Sequence, residues 1–209
     1  MVRHPLEDEF GAPAEIILEA IYRSSELTKR GVRGIIAEAY FDMEVLSRLE
    51  AWNDVTPEGD HSYDNLIKNI HTGQEISIQV KMQRKEKGEP KLAASVRRFN
   101  SLPDGYYIVE TQRTRTGKSK KTSGQNENTR PYRYEDFDLL AVSMEPCTKD
   151  WSEFRFTVSN WLISRKDNES QIDTYQPVSL EVNDDWTYEL ITAIDWLNSG
   201  MKKTIKSEA

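Results

Sequence analysis

Asp64, Gln79 and Lys81 are the side chains in this sequence whose types and spacing suit chemistry together. Fourteen residues separate Asp64 from Gln79, and Lys81 follows Gln79 by two. A carboxylate, an amide oxygen and an amine can hold a hard cation and offset the charge of a phosphate. They can meet only if the chain turns back on itself. The stretch EISIQVKM at 75–82 alternates Ile76, Ile78 and Val80 with Ser77, Gln79 and Lys81, the period of a strand with one buried face. LIKNI at 66–70 is a second apolar run, and HTGQ at 71–74 supplies a turn with Gly73 inside it. The resulting β-hairpin sets Asp64 beside Gln79 and Lys81 across the strand pair. Gathered at a sheet edge, the three form a candidate for metal-dependent hydrolysis.

Other elements must bring the remaining groups. Residues 1–10 read as a loose tail. Residues 12–30 carry a helical stripe of Ile16, Ile17, Ala20, Ile21 and Leu27, with Pro13 at the start and Gly31 as the stop. A second helix is expected over about 34–51. Glu38 lies in its first turns and faces Asp64 only if that helix crosses the hairpin; otherwise it is a solvated glutamate like Glu44 and Glu50. Trp52 and Val55 open a short strand, and Asp60 belongs to a polar turn.

After the hairpin, Leu92, Ala93, Val96 and Phe99 predict a helix packed on the sheet, and YYIVETQ at 106–112 a strand. Residues 113–133 hold seven basic residues and one acid, and read as a loop or the tip of a long β-hairpin with arms at 106–115 and 129–137. Tyr132 and Tyr134 there either contact bases or pack against the arm. FDLLAVSM at 137–144 predicts a strand buried on both faces, and FRFTVSNWLI at 154–163 another. Residues 165–179 read as polar loop, residues 185–198 as a helix capped by Asp185, and the rest as a tail.

The 209 residues suit one α/β domain, with 37% hydrophobic and 30% charged residues spread along the whole length. No apolar stretch is long enough to cross a membrane and no leader pattern opens the chain, so a cytoplasmic protein is expected. Cys147 is the single cysteine, which rules out an internal disulfide, and His4, His61 and His71 are too scattered for a histidine metal site. The net charge of -7 hides an uneven distribution: residues 1–80 carry -8, 81–133 carry +9 and 134–209 carry -8. A positive centre directly after the proposed catalytic strand is what a polyanionic substrate requires. The basic residues expected to meet it are Arg84, Lys85, Arg97, Arg98, Arg113, Arg115, Lys118, Lys120, Lys121, Arg130 and Arg133. Neither a glycine-rich phosphate loop nor HExxH, GxSxG or CxxC occurs.

In order, then, the chain has a helix with Glu38, a hairpin with Asp64, the Gln79-Val80-Lys81 segment, a helix and a further strand. This order resembles the PD-(D/E)xK nuclease superfamily, in its QxK variant of Mrr-like, restriction-endonuclease-like enzymes. Tyr63 stands where the superfamily name has proline, and Gln79 replaces the second acid. The resemblance implies a restriction endonuclease-like α/β core at about 34–144, a mixed central sheet flanked by helices, with residues 145–209 packed on it as an extension of one domain. It implies a catalytic set of Glu38, Asp64, Gln79 and Lys81, and Mg²⁺, with Mn²⁺ as a substitute, held by Asp64, Gln79, the Val80 carbonyl and Glu38. The activity implied is hydrolysis of double-stranded DNA by a homodimeric restriction or phage-defence endonuclease. The rival readings are a non-catalytic nucleic-acid-binding protein on this fold, a structure-specific repair nuclease, and an unrelated α/β enzyme acting on a small anion.

Overall fold

The computed structural model describes residues 3–113 and 130–208. The chain forms two compact units, Met1–Ile36 and Ala37–Ala209.

In the first unit residues 5–10, expected as a loose tail, are helical. α1 (Pro5–Phe10) opens on His4, whose ring accepts the Leu6 N–H at 3.2 Å while Glu7 reaches back to the His4 N–H at 2.9 Å. Gly11, at φ 61°, ends it in the left-handed region. The helix expected over 12–30 is two helices, α2 (Ala14–Arg23) and α3 (Glu26–Glu44). Paired serines make the break. Ser24 Oγ donates back to the Ile21 carbonyl at 2.7 Å, and Ser25 Oγ accepts the Thr28 N–H at 3.3 Å as the cap of α3. α3 runs on through Gly31 and Gly34, so Gly31 is not a stop. No residue of α1 or α2 is buried, and Ile16 and Leu27 of the expected stripe are exposed.

In the second unit the last turns of α3 bury Ala37 and Phe41. Phe41 packs edge-on to Phe154, with ring centroids 5.6 Å apart, and tilted against Phe156 at 6.2 Å. Three antiparallel strands follow: β1 (Trp52–Asp54), β2 (Asn65–Asn69) and β3 (Glu75–Met82). Gly73, at φ 73°, closes the turn between β2 and β3. The chain then makes a two-residue hairpin, β4 (Lys85–Glu86) and β5 (Glu89–Pro90), and strand β6 (Tyr106–Glu110). It returns as β7 (Leu139–Ser143), parallel to β3, and after the short α4 (Glu145–Thr148) as β8 (Phe154–Val158), antiparallel to β7. The result is a mixed five-stranded sheet in the order β1-β2-β3-β7-β8. α3 packs on it through Phe41, and α5 (Leu190–Asn198) also contacts it. A mixed central sheet flanked by helices is thus present, with β7 wholly buried.

Five local expectations are corrected. Residues 92–99 form two 3-10 turns, Ala93–Ser95 and Arg97–Phe99, instead of a helix, because Leu92 is held extended by bridging to Tyr107 and Val96 is extended between the turns. β6 does not pair with the segment after 129; beyond one bridge, Gln112 to Pro131, its partner is β9 (Tyr175–Ser179), in a region expected to be loop. Polar Gln176 hid that strand, yet its buried amide is satisfied by both backbone groups of Ile163, at 2.8 and 2.9 Å. Pro177 is tolerated because β9 has a single strand neighbour. Asp185 does not cap α5. It pairs with Lys203 at 2.8 Å and accepts the Lys206 N–H at 2.8 Å. This straps the expected tail down, with Ile205 buried and the Lys203 ammonium 4.0 Å from the centre of the Trp161 ring.

Among the described residues no helix is long and apolar enough to cross a membrane. Leu139, fully buried between Ile78 and Val158 on the sheet, tests the core. Leu139→Ala is expected to lower unfolding free energy by about 2–5 kcal/mol, read as an earlier urea midpoint at unchanged slope.

Candidate active site

β2 starts one residue late for its partner. Asn65 is paired with Ile78, and the Asp64 N–H still donates to the Ile78 carbonyl at 3.0 Å. Beyond that point no backbone carbonyl of β2 reaches β3. The Asp64 carboxylate takes over, and its Oδ2 accepts the Val80 N–H at 2.8 Å. The same oxygen accepts an N–H of the Gln79 carboxamide and lies 3.9 Å from Lys81 Nζ. The alternation of β3 buries Ile78 and Val80 against the core and turns Gln79 and Lys81 to the other side. Gln79 is nonetheless 1% exposed, whereas the Lys81 side chain retains 21%. The expected convergence of Asp64, Gln79 and Lys81 is present. Gln79 Nε2 also lies 3.2 Å from the Val80 carbonyl, so one amide N–H₂ group sits between two oxygens.

Glu38 joins them from α3. Burial, then repulsion from Asp64, push its carboxyl from 4.5 up to about 7, with Lys81 opposing the rise. One helical turn on, Asp42 is also raised, first by burial and then by repulsion from Asp54 and Asp64, although its Oδ1 accepts the Asn65 amide at 2.8 Å. Asp64 is raised by burial against the pull of Lys81 and the Val80 N–H. Asp42 escaped the sequence reading. Its signal was the four-residue spacing from Glu38, which puts both acids on one helix face.

Tyr132 has a larger place here than either role expected of it. It is 4% exposed, packs edge-on to Phe137, and lies with its ring centre 5.5 Å from Lys81 Nζ and 5.4 Å from the Arg113 guanidinium. Burial raises its phenol, with the nearby Lys81 ammonium opposing the rise.

The expected DNA contacts scatter. Arg84 is paired with Glu110 and Arg98 with Asp173. Arg113 pairs with Asp136 at 2.9 Å, Arg133 approaches Glu135 at 3.7 Å, and Arg130 Nε donates to the Arg113 carbonyl at 3.3 Å. Lys85 is half-buried on β4 and Arg97 is exposed. Arg115, Lys118, Lys120 and Lys121 lie outside the described residues. The Arg113 N–H donates to the Arg130 carbonyl at 2.9 Å.

Among the described residues no three His, Cys, Asp or Glu side chains are grouped to hold a metal ion. The donors at hand are two carboxylates, Asp64 and Glu38, the Gln79 carboxamide and the Val80 carbonyl. These are all oxygen donors, the type a hard divalent cation takes. Acids raised by burial and mutual repulsion, together with a buried Asn65 Oδ1 that has no hydrogen-bond partner, amount to an excess of acceptors that such a cation would relieve.

Because Glu38 binds its proton more tightly in the folded state, stability falls as pH rises from about 4.5 to about 7. Glu38→Gln removes that fall. Between pH 4.5 and 8 the variant is expected to gain about 1–2 kcal/mol on the wild type in cation-free buffer, after discounting for partial exposure. Urea unfolding across that range measures it, and parallel pH profiles would contradict it.

No family model matches the chain, and no curated protein matches it. Among solved structures it is similar to a bacterial homing endonuclease, at 21% sequence identity and a TM-score of 0.45, over 81% of this chain and 94% of that one.

Proposed function

We propose that this protein is a divalent-cation-dependent nuclease that hydrolyses DNA phosphodiester bonds. The observation that carries the proposal is the convergence of Asp64, Gln79 and Lys81 where β2 stops pairing with β3, within the electrostatic reach of Glu38. A structural ion pair does not need two further acids raised beside it, whereas a site for hydrolysing an anion needs both signs of charge.

Asp64, Glu38 and the Val80 carbonyl would hold Mg²⁺ or Mn²⁺, and Gln79 would add its oxygen once its carboxamide, whose N–H₂ faces Asp64 and the Val80 carbonyl, turns over. When bound, the cation supplies charge stabilisation and a more acidic water. The chain's own groups do the rest. Hydrolysis forms a bond from a water oxygen to phosphorus, breaks the bond to O3′ and returns a proton to the leaving oxygen. Lys81, 3.9 Å from Asp64 and partly exposed, orients the attacking water and offsets charge growing on the non-bridging oxygens. Asp64 is fixed by the Val80 N–H, so its second oxygen keeps a set direction. Glu38 keeps its proton to about pH 7 until a cation displaces it. The net charge of +9 over residues 81–133 is the sequence feature that suits a polyanionic substrate. A restriction-type endonuclease cutting both strands needs two such sites, which a homodimer supplies.

One observation favours a second reading, a DNA-binding protein without catalysis. The Gln79 amide already fills the space between Asp64 Oδ2 and the Val80 carbonyl with a neutral N–H₂ group. Supercoiled and linear DNA incubated with Mg²⁺ or Mn²⁺ separates the two readings. Wild type is expected to cleave. Asp64→Asn and Lys81→Ala are each expected to reduce the rate at least a thousandfold, roughly the loss of a main stabilising group, while keeping DNA affinity. Asp60→Asn, in an exposed turn, should cleave as wild type does. Mg²⁺ should raise the melting temperature of wild type and not that of Asp64→Asn. DNA binding with no cleavage, and no thermal shift with either cation, would leave the non-catalytic reading.

A further inference from the structure

We propose that Tyr132 is a positioning residue for Lys81, an inference that rests on the nuclease reading and adds a residue to that site. Lys81 projects from β3 on a flexible four-carbon stem, and its carboxylate neighbour is 3.9 Å away, too far for a direct hydrogen bond to fix it. Something else must set where the ammonium lies. The Tyr132 ring is 5.5 Å from Nζ, within range of a cation over an aromatic face. Tyr132 is itself well fixed. It is nearly fully buried, abuts Phe137 edge-on, and its carbonyl accepts the Ile172 N–H at 2.8 Å. A rigid ring against a mobile ammonium means that the ring sets the position.

The same ring carries a second cation. The Arg113 guanidinium lies 5.4 Å from its centre and is held at its other side by Asp136 at 2.9 Å. Lys81 and Arg113 are therefore both placed by Tyr132, although 31 residues separate Lys81 from Arg113 in sequence. The ring thus sets Lys81 in a fixed relation to the Asp136-paired Arg113. Tyr132 acts through Lys81 and touches no substrate.

Two variants test this. Tyr132→Leu removes ring and hydroxyl, and Tyr132→Phe restores the ring alone. Tyr132→Leu is expected to lower kcat by about tenfold to a hundredfold, as misplacement of a reacting group does, with KM and cation-free DNA affinity within about twofold of wild type. Tyr132→Phe should recover most of that loss. A second readout needs no catalysis: acylation of Lys81 by an amine-selective reagent, followed by mass spectrometry, with the other lysines as internal standards. Lys81 should react several-fold faster in Tyr132→Leu than in wild type, and at an intermediate rate in Tyr132→Phe. If Tyr132→Leu does not fold, the intermediate rate in Tyr132→Phe still decides. Unchanged Lys81 labelling in the folded variants, or a loss confined to KM, would overturn the inference. Faster Lys81 labelling in Tyr132→Leu, together with a wild type that cleaves no DNA, would uphold the positioning role and remove the nuclease reading alone.

Discussion

A single hydrogen bond, from the Val80 N–H to the Asp64 carboxylate, organises the molecule around the site. Strand β3 needs an acceptor there because its backbone donor is buried, and an unmet buried donor costs about 1–3 kcal/mol. A carbonyl of β2 would ordinarily provide it. Asp64 supplies a side-chain oxygen instead, at 2.8 Å, and the two strands part at that point. The divergence makes room for polar groups beside the buried Ile76, Ile78 and Val80 of β3. Gln79, Lys81 and Glu38 all take their meaning from that opening.

The electrostatic consequence follows from burial. Asp64, Glu38 and Asp42 are all raised above their ordinary carboxylate range, and burial is the largest cause for each. Lys81 alone does not balance them. A cluster selected for stability would use better-matched charges or none, since replacing buried charges by apolar packing is often neutral or favourable. Keeping carboxylates close together beside a buried amide and a tethered lysine sacrifices some stability locally, which is the usual mark of a site that works on a ligand. Tyr132 belongs to the same economy of placement. It closes the site with an apolar ring, yet presents Lys81 and Arg113 with the face that cations prefer.

Strong local patterns were legible. The alternation from Ile76 to Lys81 and the turn at Gly73 specified the hairpin, and the apolar run from Leu139 specified the buried strand β7. Errors arose where a tertiary partner overrode a local preference. Leu92 to Phe99 has the apolar spacing of a helix, but pairing of Leu92 with Tyr107 pulls it extended. Gln176 and Pro177 read as loop until Ile163 satisfies the glutamine and β6 supplies one side of a strand. The chain after α5 looks like a tail until Asp185 and Trp161 hold Lys203.

The sequence by itself determined the spacing that lets Asp64, Gln79 and Lys81 meet, because strand period and turn length are local and leave few registers open. It also determined that basic charge is concentrated between 81 and 133. The approach of Glu38 and Asp42, the assignment of Arg84, Arg98 and Arg113 to internal ion pairs, and the burial of Tyr132 against Lys81 were decided only in three dimensions. Each depends on which element crosses which. Such crossings are set by the packing of the whole core, of which any single stretch of sequence carries only one side.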